Sequence, residues 1–194
     1  MLNRPEPLVR QASEVLRQIN EEALGAGEGI RRIRRLFEHE ESARTRCQLP
    51  ELVREVQPIL DMLARRIHGR LQFDVAPALP DVNIDRLRIQ HVLFALVQNA
   101  CDASVNAPVP APIVITIASD RYMVETSIKD SGPGVEAGMR EQLFKPFFTT
   151  KRNGTGLGLA SSRAIIEAHE GTIGFDGCEG DGSRFWFRLP IAGH

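Results

Sequence analysis

Three kinds of feature are scarce in this sequence, and each absence narrows what the chain can be. Its three cysteines, Cys47, Cys101 and Cys178, are far apart, odd in number and without the paired spacing of a zinc site or a disulfide framework. That usage predicts a reducing, cytoplasmic setting. Charge imbalance is almost nil, since 24 lysines and arginines against 25 aspartates and glutamates leave a formal net charge of −1. No long-range field draws in nucleic acid or an anionic lipid surface. No apolar run approaches the roughly 20 residues of a membrane span, and the first residues, MLNRPEPLVR, lack a signal-peptide core. This segment is expected to make no membrane contact, although a parent protein anchored elsewhere is compatible with it.

What is present suits one ordinary domain plus an appendage: 194 residues, 42% of them hydrophobic, are enough for a real core. From Leu8 to Phe37 there is no proline, and apolar or small residues recur at Leu8, Ala12, Val15, Ile19, Ala23, Ala26, Ile30, Ile33 and Phe37. These steps of three and four predict a long helix with a coiled-coil-like seam broken by one stutter, and such a helix wants partner helices. Its opposite face, with Glu21, Glu22, Arg31, Arg32, Arg34 and Arg35, reads as solvated.

A second domain is expected from about residue 45. Pro50 opens an amphipathic helix over 52–67, a short strand follows over 71–75, and the proline-broken loop APALPD comes next. Asp85 is placed to cap a helix running to about Ser104, with an apolar stripe of Leu87, Ile89, Val92, Leu93, Leu96, Val97 and Ala100. Two strands, IVITIAS and RYMVETSIKD, are joined by a tight turn. A glycine loop, a short helix near 139–144, a second glycine loop, a helix to about Glu167 and a closing hairpin complete the order. Helices and strands mixed without regular βαβ alternation predict a two-layer α/β sandwich with a mixed, largely antiparallel sheet, preceded by the long N-terminal helix.

The chemistry-bearing residues follow from that placement. In RYMVETSIKD, period-two geometry puts Tyr122, Val124, Thr126, Ile128 and Asp130 on one inward face. A carboxylate aimed inward is costly unless it receives hydrogen bonds, and it stands where the strand gives way to Gly132-Pro133-Gly134. A ligand with an amino group would satisfy it, although an ordinary Asp-Ser-Gly turn also begins this way. Asn99 lies at the margin of the apolar stripe, where its amide oxygen is a competent hard ligand for magnesium, or simply a structural hydrogen-bonding group. Asp102, a turn on, either supports the metal or faces water, and water is the expectation.

The run KRNGTGLGLA is more specific. Alternating glycines lead straight into an amphipathic helix, so free backbone N–H groups at its N-terminus form a phosphate site, with Lys151 and Arg152 adding charge just before it. No Gly-x4-Gly-Lys-Ser/Thr string occurs, and a dinucleotide fingerprint would need glycine where Leu159 stands. The phosphate site is therefore of another kind.

In this order LVQNACDAS, DSGPGV, LFKPFFTTK, GTGLGLA and GSRFWF resemble the N box, glycine boxes, F box and last glycine motif of the histidine-kinase ATPase family. The resemblance covers residues 45–190 and is closest to sensor kinases with a short FFTTK lid. It implies ATP and magnesium as ligands, with Asn99 binding the metal, Asp130 the adenine amino group, and Gly132 and Gly134 lining the adenine side. Gly154, Gly156, Leu157 and Gly158 would hold the phosphates, Lys151 would contact the γ-phosphate, and Phe147 and Phe148 would anchor the lid. Ala95 stands where many relatives have a second asparagine, which removes one polar contact.

By the same resemblance, residues 1–44 look like the second helix of a dimerisation and phosphoacceptor hairpin, with the first helix absent, and 45–194 like the catalytic ATP-binding domain. The implied partners are a response regulator and a phosphoacceptor helix, the chain's own or a second protomer's. The family's acceptor motif is His-Glu followed shortly by Asn/Arg-x-Pro. His39-Glu40 lacks that proline and reads as surface, and His68, His91 and His169 look like neither acceptors nor general bases. The activity expected is ATP-dependent phosphorylation of a histidine outside these residues. The rival is a degenerate nucleotide-binding module that only scaffolds partners. An ATPase of the topoisomerase or chaperone kind would need a carboxylate where Ala95 stands.

Overall fold

The computed structural model describes residues 44–105, 111–151, 154–177 and 182–193, which fall in one compact unit, Ser42–His194. The predicted 8–37 helix, His39 and Arg152 lie outside the described residues.

Elements follow in the order β1 (Thr45–Cys47), α1 (Leu49–Arg65), β2 (Leu71–Val75), β3 (Val82–Ile84), α2 (Arg86–Ser104), β4 (Ile113–Ser119) and β5 (Met123–Lys129). A 3₁₀ helix (Ala137–Gln142), α3 (Gly158–Ala168), β6 (Thr172–Asp176) and β7 (Arg184–Pro190) complete the fold. The main sheet has the order β2-β4-β5-β7-β6. Only the β2–β4 pair is parallel, and the other three pairs are antiparallel. This is the mixed, largely antiparallel sheet expected. The small antiparallel pair β1–β3 was not, because two strands of three residues carry too little periodicity to be read.

The inner face of the sheet is an apolar lattice. Ile115 pairs with Ile128, Ile128 with Phe185, Thr126 with Phe187, and Val124 with Leu189, and all are buried. Against them α2 lays Ile89, Val92, Leu93, Leu96, Val97 and Ala100, none of them accessible to solvent. A helix turns about 100° per residue, so Leu87, two residues before Ile89, lies about 200° away on the far side. It is 75% exposed and does not belong to the stripe. Tyr122 is also corrected, because Asp120 Oδ1 accepts from the N–H groups of Tyr122 (2.8 Å) and Met123 (2.9 Å) and closes the turn there. The strand therefore starts one residue later, and the tyrosine ring is exposed.

Asp85 caps α2 as its position predicts, Oδ1 accepting from Arg88 N–H at 3.1 Å. Its own N–H donates to Nε2 of the buried His169, 3.0 Å away, while His169 Nδ1–H donates to Ile165 O at 2.7 Å. One neutral imidazole thus ties the start of α2 to the end of α3. Burial holds its pKa below the ordinary histidine value, against the raising effect of the Ile165 carbonyl. An unfolded chain takes up a proton near pH 6.5 and the native ring does not. The stability is full above about pH 6.5 and is lost as pH falls towards the lower folded value. His169→Gln is expected to cost roughly 1–2 kcal/mol at pH 7.5 and to flatten the acid limb, as read from urea midpoints between pH 7.5 and 5.

Candidate functional site

Asp130 directly follows β5 and is buried, 1% exposed. Its Oδ1 accepts from the N–H groups of Gly132 (2.8 Å) and Ser183 (3.2 Å), and its N–H donates to Ser183 O at 2.9 Å. Burial nevertheless pushes the carboxyl above the usual carboxylate range, and the two backbone donors oppose that without cancelling it. An ionised Asp130 is therefore a group that gains from a further donor.

The loop after it is seated directly on α2. A Cβ on Gly132 would stand 2.8 Å from both Ala103 Cβ and Ala103 O, so only glycine lets the loop approach the helix this closely. Gly134 follows with φ +75°, in the left-handed region. Gly182, before the last strand, fits under Asp130 in the same way, its missing Cβ falling 2.2 Å from Asp130 O.

One turn back along α2 is Asn99, partly buried at the rim of the stripe. Lys151 reaches it from a loop 52 residues away, Nζ donating to Asn99 Oδ1 at 2.8 Å and to Asp102 Oδ2 at 2.5 Å. Gln98 Nε2 holds the other oxygen of Asp102 at 2.7 Å. Asp102 thus does not face water alone, as expected from sequence, but shares the cation with Asn99. Its spacing from Asn99 and Gln98, three and four residues, puts all three on one helix face. Only the approach of Lys151 makes that face a site.

The second glycine loop and the lid are locked together through backbone. Phe147 N–H donates to Gly156 O at 3.0 Å, and a Cβ on Gly156, whose φ is +64°, would fall 2.4 Å from the carbonyl carbon of Phe147. Phe147 itself adopts φ +66°, and its ring is 60% exposed. It fastens the lid with its main chain, not its side chain, and Phe148 is half-buried. Gly154 N–H donates to Lys151 O, and Lys151 N–H to Thr149 Oγ1, making a compact turn below the lysine.

Leu157 and Gly158 open α3, which has no side-chain cap among the described residues, so its first N–H groups are available there to an acceptor outside the helix. Ala95 of α2 stands 3.9 Å from where a Gly158 side chain would begin. Ala95, Asn99, Asp102 and Ala103 thus form one edge of α2, about 12 Å long, with the Asp130 loop at one end and the N-terminus of α3 at the other.

The arrangement suits a hard divalent cation. Asn99 Oδ1 and Asp102 Oδ2 already converge on a cation, the lysine ammonium, and oxygen donors of this kind, few in number, leave room for waters and phosphate oxygens. No cluster of three or more His, Cys, Asp or Glu able to hold a metal occurs among the described residues. His91 Nε2 faces Ser161 Oγ at 3.5 Å across the α2–α3 seam, away from this edge's metal end. Cys101 is buried and its thiol is pushed up to about 11 by that burial, with Asp102 adding in the same direction. Among the described residues no helix is long and apolar enough to cross a membrane.

Residues 84–193 match the family described as histidine kinase-, DNA gyrase B-, and HSP90-like ATPase. Sensor protein FixL of Bradyrhizobium diazoefficiens is 34% identical over 187 residues, which are 96% of this chain and 37% of that protein. Sensor histidine kinase ZraS of Escherichia coli O157:H7 is 40% identical over 122 residues, 63% of this chain and 26% of that protein. The chain spans from about a fifth to just over a third of the length of the relatives it matches. Full-length ShkA in complex with AMPPNP superposes with a TM-score of 0.75 at 25% identity, covering 98% of this chain and 40% of that one. The nucleotide-free catalytic domain of histidine kinase ThkA superposes at 0.67 with 37% identity, covering 76% of this chain and 95% of that one. With more than half of its residues matched, and sensor histidine kinases as its relatives, the chain belongs to the histidine kinase-, DNA gyrase B-, and HSP90-like ATPase family.

Proposed function

We propose that this chain binds ATP with magnesium and transfers the γ-phosphoryl group to a histidine on a phosphoacceptor helix outside its own residues, for relay to an aspartate of a response regulator. The observation that carries the reading is the buried Asp130 carboxylate, held from behind by two backbone N–H groups at one end of the α2 edge. A site with an acceptor at one end and free helix N–H groups at the other fits an adenine nucleotide laid along α2. Asp130 accepts from the adenine amino group, Gly132 and Gly134 line that side, and Gly154, Gly156, Leu157 and Gly158 receive the phosphates.

Phosphoryl transfer asks mainly for positioning and charge neutralisation. Asn99 is the residue that would hold magnesium, which when bound neutralises phosphate charge. Lys151 supplies a second positive charge, the α3 N-terminus supplies oriented N–H groups, and the backbone clasp between Phe147 and Gly156 holds the lid over them. Residues 45–194 are the catalytic unit in this reading, and residues 1–44 the second helix of the acceptor hairpin. Two of the described histidines are engaged within the fold. His169 has both ring nitrogens engaged, and His91 turns towards Ser161.

The test is incubation with γ-labelled ATP and magnesium. Alone, the chain should gain no acid-labile phosphate. Given a peptide helix bearing His-Glu followed by Asn/Arg-x-Pro, it should label that helix slowly, because an untethered acceptor lacks effective concentration. Self-labelling that disappears in His39→Ala would overturn the placement of the acceptor outside the chain.

A further inference from the structure

The lysine that reaches Asn99 raises a question of occupancy. Its ammonium engages the amide oxygen assigned above to magnesium, and it does so together with the carboxylate of Asp102. Two cations on one amide oxygen repel each other, so an ion coordinated through Asn99 Oδ1 and an ammonium 2.8 Å from that oxygen exclude one another.

Resting on the nucleotide reading above, we propose that Lys151 is a tethered stand-in for the metal: its ammonium holds Asn99 and Asp102 until magnesium, arriving with the nucleotide phosphates, displaces it. The released side chain then turns onto the phosphates. Asp102, expected from the sequence to face water, becomes the anchor that sets the resting position of the lysine.

The local geometry fits an exchange. The lysine backbone is fixed, its N–H donating to Thr149 Oγ1 at 3.1 Å and its carbonyl accepting from Gly154 N–H at 3.2 Å. Its four-carbon stem can swing about that fixed point, so the ammonium can change partners while the lysine backbone stays in place. The pair is also only moderately strong. Side-chain exposures of 42% for Lys151 and 35% for Asp102 leave it open to water and salt, so a divalent ion with phosphates attached can outcompete it. Gln98 keeps Asp102 aimed at the site through its bond to the other carboxylate oxygen. In the resting state the device neutralises Asp102 and keeps the Asn99 amide oriented oxygen-first, which is the orientation a metal needs.

The exchange predicts antagonism between Lys151 and magnesium. Calorimetry would measure ADP affinity with and without magnesium for the wild type and for Lys151→Met, giving for each the factor by which the metal tightens binding. In Lys151→Met that factor should be larger by about fivefold or more, because the competitor is gone and metal-free ADP has lost its substitute cation. A second readout needs no nucleotide. Hydrogen exchange at the Phe147 and Phe148 amides should speed up in both Lys151→Met and Asp102→Asn, since each releases the same tether. Equal magnesium factors in wild type and Lys151→Met, with ADP bound by both, would overturn the exchange and leave the nucleotide reading standing. A wild type that binds no ADP even with magnesium would overturn both.

Discussion

Asp130→Asn is expected to weaken ADP binding by about ten- to a hundredfold while leaving the empty protein at least as stable as the wild type at pH 7. A hydrogen bond from the adenine amino group to a charged acceptor contributes roughly 1.5–3 kcal/mol, and an amide turned with its oxygen towards Gly132 and Ser183 presents an NH₂ to the ligand, a donor facing a donor. The stability half follows from burial, which pushes the Asp130 carboxyl above its ordinary value. For a raised acid the favourable contribution is complete below the unfolded value near pH 3.9 and is lost as pH rises through the folded value. At pH 7 the wild type therefore carries the cost of an ionised buried carboxylate, and the asparagine does not. A gain in stability is expected at pH 7, shrinking as pH falls towards 4. Calorimetry with ADP and urea midpoints at two pH values measure the two halves. A variant that binds ADP as tightly as the wild type would remove Asp130 from the adenine site.

Asn99→Ala is expected to abolish the magnesium-dependent part of nucleotide affinity and to lower phosphoryl transfer to a supplied acceptor helix by at least about a hundredfold. Preorganised groups that stabilise transferring charge are typically worth about that much. The fold should hardly change. Asn99 sits at the rim of the apolar stripe, and its side-chain bond among the described residues is the one from the exposed Lys151, so the cost should stay within about 0.5 kcal/mol. Metal-free ADP affinity should fall far less than affinity with magnesium. A loss of the same size with and without the metal would mean that Asn99 acts on the nucleotide itself.

Much of this was legible in the residue order, for identifiable reasons. The cap at Asp85, the buried face of α2 and the inward turn of Asp130 are properties of local periodicity and capping, and they need no knowledge of distant segments. The same reasoning misplaced Leu87 and Tyr122, each at the margin of an element where the periodic pattern continues in sequence but the packing does not. Asp102 was misjudged because its partner, Lys151, is brought in by the path of the lid, which no short-range rule describes. Phe147 shows another limit. An aromatic residue in a motif suggests packing, yet here the useful part is its main chain, clasped to Gly156 at a positive φ that the sequence does not announce. His169 reads in sequence as neither an acceptor nor a general base, and its structural role does not show there, since its second partner, the Asp85 N–H, is 84 residues away.

That buried imidazole also decides where the site can yield. With His169 bolting the start of α2 to the end of α3, and Ala95 set against Gly158 at the other end of the seam, the two helices cannot slide past each other without breaking a contact. Helices of 19 and 11 residues joined in this way form a stiff frame. Any compliance on loading must then reside in what hangs from the frame: the Gly132–Gly134 loop on one side, and on the other the lid clasped at Phe147 and Gly156. Ligand-induced motion should be confined to those two flaps, with α2 serving as the fixed rail from which their travel is measured.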